Sequence, residues 1–166
     1  SYVVPANPNS SGQQTQRTYF TDAVDLWHTL GLTSDDVTAW NRYATTRPRP
    51  QSGFNAFVAT VIDLLVGGLA LAATAMGFNG GISDSGAGQV DMTVEEDGSA
   101  VAVDFLWGYS PTSLINVAPG VEAANVWTAA NVAADPGSTV YMRARIEAAA
   151  NAVIGWTGIY RFGPVS

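Results

Sequence analysis

Few side chains in this chain could do chemistry. His28 is the one histidine, cysteine and lysine are absent, and the seven basic residues are all arginines, at 17, 42, 47, 49, 143, 145 and 161. Lacking lysine, the chain has no Schiff-base chemistry and no P-loop lysine. Lacking cysteine, it has no thiol nucleophile, disulfide or thiolate zinc site. A Ser-His-Asp arrangement would need His28 with distant partners, and the sequence offers no nucleophile elbow and no adjacent orienting acid. Beside Trp27, His28 reads as a surface or helix-cap residue. Carboxylates cluster at Asp35-Asp36 and at Glu95-Glu96-Asp97. The first pair suits the opening turn of a helix, where the macrodipole favours acids. The second suits a solvated hairpin turn, and no regular calcium-loop spacing accompanies it. The run GFNGGISDSGAG invites a phosphate-loop reading but lacks Gly-Lys-Ser/Thr, so it reads as a linker. These residues imply no catalytic set, no cofactor and no metal, and the expectation is a protein that is not an enzyme.

The aromatic residues are the other candidates. Five Trp and six Tyr could line a recognition surface, a sugar platform for example. Trp27, Trp40 and Trp107 fall on apolar faces of expected helices or strands and read as core. Trp127 and Trp156 are less constrained by pattern, which makes them the candidates for surface recognition, with a core position as the alternative.

The elements that must carry these residues follow from periodicity. Phe20, Ala23, Val24, Trp27 and Leu30 recur at helical spacing, predicting a helix over residues 13–30 that Gly31 ends as a C-cap glycine. Thr33 caps a second helix, with Asp36 placed for a capping box and Val37, Trp40 and Ala44 as its apolar stripe. Arg47-Pro48-Arg49-Pro50 stops it, because proline lacks an amide donor and disfavours helix in the residue before it. Ser52 caps a third helix on which Phe54, Phe57, Val58, Val61, Ile62 and Leu65 share one face. Gly67-Gly68 breaks it, and residues 69–76 fit either a short helix or a strand.

The glycine-rich residues 77–89 read as a linker between two units. Beyond them the period becomes two. Val90, Met92 and Val94 alternate, Glu96-Asp97-Gly98-Ser99 suits a hairpin turn, and Val101, Val103, Phe105 and Trp107 alternate on a return strand. Val140, Met142, Ala144 and Ile146 form one face of a further strand, and residues 156–162 a closing one. The expectation is an α+β chain with an arm over 1–12, a helical module of three helices over 13–76, a linker over 77–89, and an antiparallel β-sandwich over 90–166.

Composition bounds the partners. Hydrophobic residues make up 47% and charged residues only 13%, so surface is expected to be hidden against other molecules. Net charge is -7, with five Asp against four Arg in residues 1–80 and nine Asp/Glu against three Arg in 81–166. An acidic second half repels phosphate backbones, and no nucleic acid partner is expected. The apolar run Phe54–Phe78 is interrupted and amphipathic, and its best part falls short of the roughly 20 residues of a span, so no membrane span is expected. The start lacks the charged and apolar regions of a signal peptide, and a leading Ser fits trimming of an initiator Met, an expectation of a whole product. Residues 1–12 read either as a disordered tail or as an arm that orders on a neighbour, with Tyr2, Val3 and Val4 as its contacts.

Two resemblances add to this reading. Trp27, Leu30, Ala39-Trp40-Asn41 and Ala44, followed by Ser52-Gly53-Phe54-Asn55-Ala56-Phe57-Val58, resemble a helical module of small virion proteins of tailed bacteriophages and prophages, over roughly residues 13–72. Asp135-Pro136-Gly137-Ser138-Thr139-Val140-Tyr141-Met142-Arg143-Ala144-Arg145 resembles the entry to the penultimate strand of fibronectin type III and related immunoglobulin-like sandwiches, over about 88–164. The resemblances imply a structural or accessory virion protein, a capsid decoration or a head or tail component made in the host cytoplasm. It would act by assembly with other virion proteins and with its own copies in a symmetric particle. Expected docking residues are Tyr2, Val3, Val4, Phe54, Phe57, Val58, Val61, Ile62 and Leu65. The alternative is an extracellular carbohydrate-binding or adhesion module using Trp127 and Trp156.

Overall fold

The computed structural model describes residues 10–149 and 152–166. Three helices come first: α1 (Ser11–Thr29), α2 (Ser34–Thr45) and α3 (Gly53–Val66). Each begins at a side-chain cap. The hydroxyls of Ser10, Thr33 and Ser52 accept from the amides of Gln13, Asp36 and Asn55, and Thr33 and Asp36 complete a reciprocal capping box. Gly31 follows α1 at φ +75°, a left-handed position that ends the helix at little cost for glycine.

The apolar stripes of the helices form one core. Phe57 and Trp40 are fully buried, and the ring centroids of Trp27 and Trp40 each lie 5.1 Å from that of Phe57, edge to face. Asn41 Oδ1 accepts from the Gly53 amide at 2.9 Å, which ties the middle of α2 to the start of α3. A Cβ on Gly53 would sit 2.5 Å from the Asn41 nitrogen, so only glycine permits this approach. The Trp-Asn and Ser-Gly-Phe-Asn motifs are therefore the fasteners of the helix pair.

A 3₁₀ turn, Leu71–Ala73, follows, and then, among the described residues, nine strands: β1 (Phe78–Asp84), β2 (Gln89–Glu95), β3 (Ala102–Gly108), β4 (Asn116–Pro119), β5 (Val121–Ala123), β6 (Val126–Ala133), β7 (Val140–Ala149), β8 (Ala152–Trp156) and β9 (Tyr160–Phe162). They form two antiparallel sheets, one ordered β1-β2-β6-β5 and the other β4-β3-β7-β8, with β9 also paired to β7. Alternate residues point inward. Val90, Met92 and Val94 from one sheet and Val103, Phe105, Met142, Ala144 and Ile146 from the other are buried in a shared core. The α+β architecture of three helices followed by a sandwich of antiparallel sheets stands.

Three local expectations are corrected. Residues 77–89 are not a free linker: most of them form β1, the connecting turn and the start of β2. Two of the glycines are there for close approach. A Cβ on Gly80 would lie 2.5 Å from the Tyr160 ring, and one on Gly77 2.6 Å from Thr157. Second, the Asp-Gly turn after β2 does not make a hairpin, because β2 and β3 lie in different sheets. Glu96 there is buried rather than solvated. Its Oε2 accepts from the amides of Gly98, Ser99 and Ala100, and its Oε1 from Trp127 Nε1 at 3.2 Å. Third, the closing segment is two strands, split at Thr157-Gly158-Ile159, where the chain turns onto α2: the Ile159 amide donates to the Ala39 carbonyl at 2.9 Å.

Candidate interaction surface

The apolar face of α3 is spent inside the molecule. Phe57, Val58, Val61 and Leu65 are buried, and Phe54 and Ile62 pack partly buried on the same cluster, against α1, α2 and Trp156. They are the helical core, so the expectation that they dock a partner is corrected. An amphipathic helix needs its apolar side covered, and here α1, α2 and the edge of the second sheet cover it. Tyr2, Val3 and Val4 lie outside the described residues.

Neither tryptophan proposed for recognition is an open platform. Trp127 is 6% exposed, its indole held by Glu96. Trp156 is half-buried and stacks on Arg143, whose guanidinium carbon lies 4.4 Å from its ring centroid and 3.8 Å from that of Tyr43. Arg143 also donates from Nε to the Thr157 carbonyl at 2.9 Å, and burial lowers its pKa from the ordinary arginine value.

The polar centre of the molecule is Asp36, which is 0% exposed. Its Oδ2 accepts from the Thr33 amide at 2.7 Å, the Thr33 hydroxyl at 2.8 Å and the Asn79 amide at 3.0 Å. Its Oδ1 accepts from the Gly80 amide at 3.3 Å and from the Tyr160 hydroxyl. One carboxylate thus caps α2 and holds β1 and β9 against it. Burial, and next the Asp36 charge, push the Tyr160 hydroxyl far above the usual tyrosine range. Beside it lies an open depression of about 200 Å³ lined by Asp35, Thr38, Arg42, Gly80, Tyr160 and Arg161. Arg42 is engaged there, donating to the Ile159 carbonyl at 2.5 Å. Asp36 and Tyr160 read as structural, because their hydrogen bonds cap α2 and close the junction of helices and sheets.

The helical module and its connection cover one side of the sandwich. α2 lies on β1 and β9, and α3 on β8. The Ala75 amide donates to the Ile154 carbonyl at 3.0 Å, which occupies the β8 edge. At the opposite edges, β4 and β5, three exposed aliphatic residues lie close in sequence: Ile115, just before β4, is 80% exposed, Val121 74% and Val117 56%. An open groove of about 520 Å³ runs here, lined by Ala118, Pro119, Val121, Thr128, Ala129 and Val132 among others. Glu122 is the sole charged residue between Phe105 and Ala134. Periodicity did not flag this surface, because β4 and β5 are too short to show a period. The long run with Glu122 as its single charge was its sequence signal. Among the described residues no group of His, Asp and Glu could hold a metal ion, and no helix is long and apolar enough to cross a membrane. No family model, curated protein or solved structure matches this chain.

Proposed function

We propose that this chain is a structural or accessory virion protein of a tailed phage, a capsid decoration or a head or tail component that works by protein–protein assembly. The observation that carries the reading is the open β4–β5 edge, whose one charged residue is Glu122. Sheet edges of isolated proteins are blunted by charges, Pro or a covering element. This one presents Ile115, Val117 and Val121 to solvent, with Pro119 on β4 and Glu122 on β5 as its blunting devices. Covering each aliphatic side chain would contribute about 1.5–3 kcal/mol. The virion assignment is supported by the helical motif, whose Trp27, Trp40, Asn41 and Gly53 each have a mechanical task in joining the helices. The strand orders β1-β2-β6-β5 and β4-β3-β7-β8 support an immunoglobulin-like or fibronectin type III-like sandwich, being the A-B-E-D and C′-C-F-G orders of that class. Such a fold supplies architecture and no activity by itself. The partners on this reading are other virion proteins and further copies of this chain in a symmetric particle.

The test is mass spectrometry of purified virions from a phage that encodes the chain, together with binding of the recombinant protein to those particles. Detection at stoichiometric levels, and binding weakened by Val121→Asp, is the expected result. Absence from the virions, with a recombinant monomer that ignores capsids and tails, overturns the proposal.

A further inference from the structure

Four of the seven arginines gather where α2 packs on β9. Arg42 and Arg161 line the depression of about 200 Å³ beside Tyr160, together with Thr38. A second open depression, of about 260 Å³, is lined by Tyr43, Thr46, Thr112, Arg143 and Ile159 among others. Arg47 stands beside it, donating from Nη1 to the Tyr43 hydroxyl at 3.1 Å. Ile159 joins the two depressions, since its carbonyl accepts from Arg42 and the residue lines the second. Tyr141 joins them from the sheet, pairing with Arg161 across β9 and lying two residues from Arg143 on β7.

These arginines lack carboxylate partners in a chain that holds 14 acidic residues against seven arginines. Two positions further along β7, Arg145 pairs with Asp104 at 2.7 Å and Glu147 at 2.8 Å. Arg42, Arg47, Arg143 and Arg161 make no ion pair among the described residues, and neither does Asp35, which also lines the first depression. The cations instead act on one another. Burial, and next the charge of Arg161, lowers the Arg42 pKa from the ordinary arginine value. Burial, and to a smaller degree Arg47, lowers that of Arg143, with Tyr43 opposing both. Arg143 Nη2 is buried and makes no hydrogen bond among the described residues.

An incoming carboxylate relieves this repulsion and takes the guanidinium donors two at a time. Arg143 is already held between the rings of Tyr43 and Trp156, so little side-chain freedom is lost when it binds. The hydroxyls of Thr38, Thr46 and Thr112 are further donors along the same strip. Peptide carboxylates suit it better than a phosphate backbone. A polyphosphate carries its charge past the strip onto a protein of net charge -7, whereas a peptide concentrates charge at the arginines.

We propose that the two arginine-lined depressions form one binding strip for an acidic peptide segment of a partner protein, whose side-chain carboxylates seat on Arg42 with Arg161 and on Arg143 with Arg47. The strip goes beyond the assembly reading and uses neither Val117 nor Val121 of the β4–β5 edge.

The experiment titrates the full-length protein into fluorescein-labelled hexaglutamate and follows anisotropy, with hexaglutamine as the neutral control. Hexaglutamate should bind and hexaglutamine should not. Affinity should fall at least about tenfold between about 0.05 M and 0.5 M salt, as screening weakens the charge pairs. Arg47 and Arg161 are exposed, and Arg47→Glu and Arg161→Glu should each weaken binding at least about fivefold. Arg17→Glu on α1, an equal change of charge, should alter it less than about twofold, and so should Val121→Asp at the edge. Arg47→Gln and Arg161→Gln replace the reversals if those disturb folding, and should weaken binding with an unchanged urea midpoint. Hexaglutamate that binds no better than hexaglutamine overturns the proposal. So does an equal loss with Arg17→Glu, or an oligothymidylate of equal charge that binds more tightly than the peptide.

Discussion

Replacing Asp36 should cost more than any surface charge in this chain. Asp36→Ala deprives five donors of their acceptor: the amides of Thr33, Asn79 and Gly80 and the hydroxyls of Thr33 and Tyr160. Thr33 and Asn79 are exposed residues whose donors can turn to water, whereas Tyr160 is buried and Gly80 half-buried. Each buried donor left unpaired costs about 1–3 kcal/mol. With a smaller share for the exposed donors and the lost cap, the expected loss is about 3–5 kcal/mol. Asp36→Asn should cost about half as much. Its amide oxygen can keep the three bonds at the Oδ2 position, and its NH₂ can donate to the Tyr160 hydroxyl, leaving mainly the Gly80 amide unpaired. Urea unfolding followed by tryptophan fluorescence reads both effects, since Trp27 and Trp40 lie in the helical core and Trp107 and Trp127 in the sandwich. At a slope of about 1–3 kcal/mol per M, the Asp36→Ala midpoint falls by roughly 2 M. Wild type should unfold in one transition and Asp36→Ala in a broader or split one, because Asp36 fastens α2 to β1 and β9. An Asp36→Ala loss below about 1 kcal/mol, or a wild type that already unfolds in two steps, refutes this account.

Three further outcomes follow from the packing. The Tyr160 hydroxyl is raised above its ordinary value near pH 10, so above that pH the unfolded chain releases a proton that the folded chain keeps. Stability should therefore be intact below about pH 10 and fall as pH rises further, by up to about 1.4 kcal/mol per unit from this residue. Phenolate absorbance should show one tyrosine that ionises only on unfolding, and Tyr160→Phe should remove that share of the slope. Gly155→Ala should cost about 3 kcal/mol or more in thermal or urea unfolding, because its Cβ would fall 1.6 Å from the Ala75 carbonyl oxygen. Gly12→Ala, with nothing within 4 Å and a helical site in α1, should be neutral or stabilising by up to about 1 kcal/mol.

Much of the architecture could be read from local pattern. Ser52, Thr33 and the Gly31 stop are short-range signals, since a cap needs only a hydroxyl and an amide two or three residues on. Period-two alternation in residues 90–94 and 140–146 identified strands whose inward faces are the buried ones. The candidate site was far less legible. An apolar stripe on α3 states that the face must be covered, but not by what, and here the cover is the same chain. The less constrained Trp127 looked available because its partner, Glu96, sits 31 positions away in sequence. Gly77 and Gly80 looked like freedom and are instead points of contact, a distinction that depends on Thr157 and the Tyr160 ring far along the chain.

The sequence by itself determined the three capped helices, the strands around residues 90–94, 103–107 and 140–146, the change of period between the two halves, and the exclusion of lysine, thiol and disulfide chemistry. Those properties depend on residue type and on neighbours within about one turn or one strand. Only the tertiary structure decided that helices and sandwich are fastened through Asp36 and Arg143, that the α3 face is core, and that β4 and β5 are the edges left open. Those facts depend on contacts between residues up to 124 positions apart, such as Tyr160 with Asp36, which no local pattern encodes.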